Sequence, residues 1–279
     1  MKINFTKMHG IGNDYIYVNC MEKELEDPCG VSVAMSPRHF SVGSDGLIMI
    51  CPSEVADAKM RMFNADGSEG KMCGNAIRCV GKYLYDNGIC KKENISVETL
   101  SGIKYLTLTV EGGSVKYVSV DMGKASFKAE DIPTTYGGEM IDAPAAVDGK
   151  TWRMTAVSVG NPHWITVVDD PYALELEKIG PAFENHPLFP ERVNTEFIRK
   201  VGDDEIEMRV WERGSGETWA CGTGASAVAA ACVRLGLCSA GEPITVHLRG
   251  GNLVITCDSD YRITMKGPAE KVYDGVYEY

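Results

Sequence analysis

The chain repeats itself at a fixed offset of 148 residues, and this limits its folds more than any other feature. Gly12-Asn13 is matched by Gly160-Asn161, Phe63-Asn64 falls opposite Trp211-Glu212, Glu69 opposite Glu217, and Cys73-Gly74 opposite Cys221-Gly222. The segments DGSEGKMCGNA and RGSGETWACGTGA align across Cys73 and Cys221 without a gap. One offset held across separated segments is the mark of a duplicated unit, and it predicts two similar lobes. The first is expected to span 1–121 and the second 122–267. Residues 271–279 read as a terminal strand able to return to either lobe; in a return to the first, 268–279 joins it.

Turn signals break the chain at short intervals, and the segments between them are rich in Val, Ile, Thr and Tyr. Residues 94–101, 105–110, 114–121, 154–159, 164–168, 205–211, 244–248, 253–257 and 262–265 read as strands. Glycine turns join several of them, at Glu111-Gly112-Gly113 and Gly250-Gly251-Asn252, which favours antiparallel hairpins over crossovers. Two stretches instead carry helical spacing. Cys73, Ala76, Ile77, Val80, Tyr83 and Leu84 mark a helix within 71–87 that stops at Asn87-Gly88. Ala225, Val228, Ala229, Cys232 and Val233 mark a second within 221–235, ending at Gly236. That helix is apolar nearly all round and is expected at a lobe centre. The expected class is α+β: two pseudo-symmetric lobes, each a strand-rich, barrel-like sheet around a central helix.

Composition narrows the function. Lys and Arg number 28 against 39 Asp and Glu, a net charge of −11. An acidic chain lacks the basic face a nucleic-acid binder needs. No apolar run is long enough to span a membrane, and the opening MKINFTKMHGIGND has no signal-peptide core, so a cytoplasmic protein is expected. The ten cysteines are then expected as reduced thiols. No CxxC pair suggests structural zinc, and neither GxxxxGK[ST] nor GxGxxG is present.

Cys73 and Cys221 stand apart from the other eight. Each sits at the start of an expected helix and is followed by Gly and small residues. The first turn of a helix has unpaired N–H groups and partial positive charge, which is expected to ease ionisation of a thiol. Glycine lets an anion approach the backbone. If the lobes face one another, two such helix starts point into one cleft and set two thiols on opposite faces of a carboxylate-bearing carbon. One thiolate then removes a proton and the other thiol returns one, inverting the centre, while the helix ends stabilise the enolate-like charge. Cys20, Cys29, Cys51, Cys79, Cys90, Cys232, Cys238 and Cys257 read as packing residues. Glu69 and Glu217, four residues before each thiol, read as helix caps or loop holders.

At these residues the chain resembles the diaminopimelate epimerase family. The resemblance runs nearly end to end through KMHGIGNDYIYV, RHFSVGSDGL, FNADGSEGKMCGNAIRC, SVGNPHW, NTEF and WERGSGETWACGTGASAVAA. It implies an isomerase that converts LL-2,6-diaminopimelate to the meso form in lysine and peptidoglycan precursor synthesis. It also implies a homodimer that uses neither metal nor pyridoxal phosphate, with a small diamino-dicarboxylic acid as its partner and no nucleic acid or membrane. Cys73 and Cys221 are implied as the catalytic thiols, with His163 and Glu212 supporting them. Gly74, Asn75, Gly222 and Thr223 are implied at the carboxylate of the reacting centre. Asn13, Asn64, Asn161, Asn194, Glu212 and Arg213 are implied as substrate contacts. Arg213 can grip a carboxylate with paired N–H donors, and Glu212 can pair with an ammonium.

Three positions depart from the commonest form of this pattern. Ala76 stands where glycine is frequent, at slight expected cost. Gly46 stands where some members carry a substrate-contacting glutamine, so a backbone group or water would replace that contact. Trp164 is bulky and is expected to narrow the second-lobe side of the cleft. Two other functions remain open at this stage. A proline- or hydroxyproline-type racemase shares the two-thiol logic, although the first lobe has Cys73-Gly74-Asn75 where that group has Cys-Gly-His. A thiol redox or binding protein, with Cys73 and Cys221 as a reversible disulfide, explains none of the Asn and Arg pattern.

Overall fold

In the computed structural model, which describes residues 1–279, the chain forms two units. One comprises Met1–Asp121 with Lys266–Tyr279, the other Met122–Met265. Strands β1 (Lys2–Gly10), β2 (Asn13–Asn19), β3 (Gly46–Cys51), β4 (Ala58–Asn64), β5 (Glu69–Gly70), β6 (Asn94–Thr99), β7 (Gly102–Glu111) and β8 (Ser114–Lys124) are accompanied by helices α1 (Pro28–Met35) and α2 (Gly74–Asp86). Then come β9 (Ala143–Val147), β10 (Lys150–Ser158), β11 (Pro162–Val167), β12 (Asn194–Gly202), β13 (Glu205–Glu212), β14 (Gly216–Thr218), β15 (Pro243–Leu248), β16 (Gly251–Cys257) and β17 (Arg262–Pro268), with helices α3 (Leu176–Glu184) and α4 (Gly222–Arg234). The terminal strand β18 (Glu270–Glu278) pairs antiparallel with β1 in the first unit.

The 148-residue offset runs through the elements themselves. β10 repeats β1 and α4 repeats α2 residue for residue, and α3 begins one offset after α1. The glycine turns make the antiparallel pairs β6–β7, β7–β8 and β15–β16, as their short links require. Elsewhere the expectation of hairpins alone is corrected. β2–β3, β4–β6, β11–β12 and β13–β15 are parallel. Each of these pairs is joined by a segment holding one helix, because a parallel return needs a long crossover.

In the first unit the strands form a ribbon from β18 through β1, β2, β3, β4, β6 and β7 to β8. Helix α2 packs on β1, β2 and β7, strands near both ends of that ribbon, so the sheet wraps it. Every residue from Gly74 to Leu84 is buried, Arg78 and Lys82 included. Lys82 is satisfied there by the Val115 carbonyl at 2.7 Å and by Asp86 at 2.8 Å. Helix α1 covers the other face, where Val31 and Met35 pack on Ile16, Leu47, Met49 and Phe63. With both faces covered, β3 is buried at every position. In the second unit α4 packs on β10, β11, β12, β15 and β16. Its alanines let these strands approach closely, as an all-round apolar helix requires.

Side-chain alternation along β11 decides the place of Trp164. Its indole is wholly buried on the α3 side with Phe183, Phe189 and Phe197, and its Nε1–H donates to Met140 Sδ at 3.3 Å. Trp164 is therefore a core residue of that unit, which corrects its expected role as a cleft wall.

Candidate active site

Each unit builds the same local device at the start of its wrapped helix. Cys73 is the N-cap of α2, and its sulfur accepts from the Ala76 N–H at 3.5 Å. Cys221 is the N-cap of α4, and its sulfur accepts from the Gly224 N–H at 3.2 Å. The sulfur thus takes the place usually held by a Ser or Asp oxygen. One turn further on, the carbonyl of the first helical residue is also held in both units. Arg78 Nη1 donates to Gly74 O at 3.1 Å, and Ser226 Oγ donates to Gly222 O at 2.8 Å. The main chain at Gly222 and Thr223 precedes the first helical bond, from Ala225 N–H to Cys221 O at 3.0 Å. Such first-turn amides have no acceptor within the helix and suit a carboxylate.

The repeated glutamates do not cap these helices, since the thiols do. They fasten the hairpins leading to them. Arg61 Nε donates to Glu69 at 2.8 Å across β4 and β5. One offset later, Arg209 grips Glu217 with two bonds of 2.7 and 2.9 Å, and Arg249 adds a third contact at 3.0 Å. Burial raises the Glu217 carboxyl, but the two guanidinium groups outweigh it and hold the group below its ordinary value. A carboxylate whose folded value is depressed stabilises the protein above its unfolded value and loses that contribution as pH falls through the folded one. Glu217→Gln is expected to cost about 2 kcal/mol at neutral pH. Its deficit against wild type should shrink as pH falls below the carboxylate range, as followed by thermal melts at several pH values.

Around Cys73, the sulfur donates to Asn13 Oδ1 at 3.3 Å, and Asn13 Nδ2 donates to Asp45 Oδ2 at 2.7 Å. Asp45 therefore fixes which end of the amide faces the thiol. Asn64, at the end of β4, donates to Ser68 Oγ at 3.0 Å within its own turn. Asn75 is buried in the first turn of α2. Ala76 is also buried there and supplies the capping N–H. At Gly46 a Cβ would stand 2.0 Å from Phe63 O. No side chain fits at that position in this backbone.

The second unit is more elaborate. Cys221 is buried, its sulfur lies 3.5 Å from Thr223 Oγ1, and Asn161 Nδ2 donates to that oxygen at 3.4 Å. Asn161 Oδ1 in turn faces His163 Nε2 at 3.1 Å, and His163 Nδ1 meets Glu196 Oε1 at 2.6 Å. Both His163 and Glu196 are wholly buried. Glu212 accepts from the Thr218 hydroxyl. Burial raises the Glu212 carboxyl, with Glu196 adding to the rise and Thr218, His163 and Cys221 opposing it. Burial likewise pushes the Cys221 thiol well up, reinforced by Glu212 and Glu196 and only partly offset by Thr223 and the Gly224 N–H. The helix start was expected to ease ionisation; at Cys221 burial, reinforced by the two carboxylates, acts the other way and favours the thiol.

Asn194 and Arg213 fall beside this cluster with their polar groups engaged. Asn194 donates to Pro162 O at 2.9 Å and accepts the Arg213 N–H at 3.0 Å. It holds β11 to the turn after β13. Arg213 Nη1 rests on Glu191 O at 3.0 Å. Of the expected residues, the second unit therefore gathers Asn161, His163, Asn194, Glu212, Arg213, Cys221, Gly222 and Thr223. The first gathers Asn13, Asn64, Cys73, Gly74 and Asn75. Sequence reasoning missed Glu196 and Asp45, whose partners His163 and Asn13 lie 33 and 32 residues away.

Comparison with known proteins bears on this duplicated arrangement. The family model described as diaminopimelate epimerase matches residues 5–128 and 155–272. The chain belongs to the diaminopimelate epimerase family. A diaminopimelate epimerase of Acetivibrio thermocellus is 53% identical over 275 residues, covering 98% of each chain. Relatives of the same description from Agathobacter rectalis and Methanococcus maripaludis are 51% and 52% identical, each covering 98% of this chain and 98% and 99% of theirs. Among solved structures, a Bacillus anthracis phenazine biosynthesis protein of the PhzF family superposes with a TM-score of 0.75 at 18% identity and full coverage of both chains. A hydroxyproline epimerase from Agrobacterium vitis gives 0.73 at 14% identity, covering 99% of this chain and 91% of that one. At these identities the two structures establish the shared fold.

Proposed function

We propose that this chain is an isomerase that interconverts LL- and meso-2,6-diaminopimelate, with Cys73 and Cys221 as its acid–base pair. The observation that carries the mechanism is the duplicated capping of two thiols at two glycine-bearing helix starts. Inverting a carbon takes one group that removes its proton and a second that delivers one to the opposite face. The helix-start amides at Gly74 and Asn75 and at Gly222 and Thr223 are assigned to the carboxylate of that carbon, where they also stabilise the charge left by the departing proton. Asn64, Asn194, Glu212 and Arg213 are assigned to the distal amino-acid end. Asn13 and Asn161 orient the groups around their own thiols.

Glu212 is assigned a second role as proton partner of Cys221. Burial raises both groups; Glu212 pushes the Cys221 thiol up further, while the contact with Cys221 lowers Glu212, which sets the two within reach of one proton. Glu212→Gln is expected to lower kcat about 100-fold, measured as meso formation from the LL isomer, with the melting temperature little changed. We place the enzyme in the cytoplasm, in accord with its metabolite substrate, and assign it a homodimer, as the family resemblance implies. No helix is long and apolar enough to cross a membrane.

The test is incubation with LL-diaminopimelate and chromatographic separation of the stereoisomers. Formation of the meso isomer without added cofactor is expected, and proline offered in competition should be neither racemised nor inhibitory. Turnover of proline in place of diaminopimelate would move the assignment to the racemase class.

A further inference from the structure

The second unit buries a carboxylate that its fold does not require. Glu196 lies on β12 with no solvent exposure, one oxygen at 2.6 Å from His163 Nδ1 and the other, Oε2, without a hydrogen-bond partner. One offset earlier, the same place in β3 is held by Ile48, also wholly buried. The duplicated architecture is thus built equally well on an apolar side chain. A buried carboxylate with one unmet oxygen costs stability, which the isoleucine in the first unit does not. Helix α4 is also shaped around it: a Cβ on Gly224 would stand 2.8 Å from Glu196 Oε1 and 3.1 Å from Cys221 Sγ. In α2 the corresponding residue is Ala76.

The hydrogen bonds leaving Glu196 run in one direction. Asn161 presents its carbonyl oxygen to His163 Nε2 and its amide N–H to Thr223 Oγ1, and that hydroxyl lies beside Cys221 Sγ. Oxygen atoms face both ring nitrogens, Glu196 Oε1 at Nδ1 and Asn161 Oδ1 at Nε2, an acceptor pattern that a ring carrying a proton on each nitrogen fits. Asn161 and Thr223 can then each donate onward, and the line ends with the Thr223 hydroxyl proton turned to the sulfur. We infer that Glu196 is a positioning residue: it holds His163 as a doubly protonated ring and, through Asn161 and Thr223, orients a hydroxyl donor onto Cys221. When Cys221 gives up its proton to the substrate carbon, that donor stabilises the thiolate left behind. This inference rests on the reading of Cys221 as a catalytic thiol of the epimerase.

The test joins kinetics to the state of the ring. Glu196→Gln keeps the size and a hydrogen-bonding end but removes the charge. Meso formation from LL-diaminopimelate is expected to fall about 10- to 100-fold in kcat, the usual scale for a residue that orients a functional histidine, with KM nearly unchanged. In a His163→Gln background the same substitution should cost nothing further, because its effect passes through the ring. Nitrogen-15 spectra of histidine-labelled protein should show both His163 nitrogens protonated in wild type and one deprotonated in Glu196→Gln. Wild-type turnover in Glu196→Gln, additive losses in the double variant, or a neutral His163 ring in the wild-type protein would each overturn the inference. The spectrum of wild-type protein decides even if the variant does not fold. An inactive wild type with a doubly protonated ring would instead count against the epimerase reading alone.

Discussion

Cys73→Ala and Cys221→Ala are each expected to lower the conversion of LL- to meso-diaminopimelate by about 10⁴-fold, the upper range for loss of a general acid or base. Neither loss should come with unfolding. Cys73 is only half-buried, and Cys221 is bounded by polar contacts, so truncation to alanine removes one capping acceptor and little apolar packing. Loss of a helix cap costs about 1 kcal/mol, far less than a whole domain's stability. The two variants should also lose activity to the same degree in both reaction directions, because each direction uses both groups. Residual activity near wild type in one of them would show that its thiol is a cap and not a proton carrier. The measurement is the rate of stereoisomer formation, with circular dichroism confirming the fold.

The second large effect concerns backbone geometry. Gly46 opens β3 at φ +154°, and any Cβ there would lie 2.0 Å from Phe63 O and 3.1 Å from Asn64 Cα on the neighbouring strand. The obstructing atoms are main chain and cannot swing away. Gly46→Ala is therefore expected to cost about 3 kcal/mol or more, and Gly46→Gln at least as much, read from urea unfolding. The glutamine that the resemblance implies for some members at this position cannot be placed here without moving β4. Gly46 pairs directly with Asn64, an assigned substrate contact, so the same shift should disturb that residue.

How much of this was legible in the sequence depended on what each feature leaves behind in local pattern. The thiols were legible because duplication marks them twice at one offset with glycines following. The wrapped helices were legible because burial on all sides demands apolar spacing that few other elements show. Helices α1 and α3 were not. α1 is eight residues long, and α3 contains Gly180-Pro181, which locally reads as a break. Tertiary packing retains α3: Gly180 lies so close to the Trp211 ring that a Cβ would stand 2.2 Å from it, and only glycine allows the helix to sit there. The all-apolar β3 was also silent, since a strand covered on both faces loses the alternation that identifies it.

The site shows the same division. His163 and Glu212 were named through resemblance, but Glu196 was not, because nothing in NTEF distinguishes a buried carboxylate from a surface one. Its sister is isoleucine, so the repeat that exposed the thiols conceals the charge. The helix-start argument for a readily ionised thiol was sound as local physics. It failed at Cys221 because burial of the thiol, and then Glu212 and Glu196 brought in from β13 and β12, act against it. Charges added by tertiary structure are not visible in a local motif, and they are also what makes the two otherwise parallel units chemically unlike.

The central claim is that two thiols, one from each repeat, carry the proton off and on. It is tested most directly by running LL-diaminopimelate in deuterium oxide and analysing both isomers at early conversion. The account predicts deuterium at the inverted carbon of nearly every meso molecule while the remaining LL substrate keeps its protium, because the delivering thiol has exchanged with solvent and the accepting one has just taken the substrate's hydrogen. Deuterium entering the remaining LL substrate as fast as it enters the product would mean a single exchanging base, and would contradict the two-thiol account.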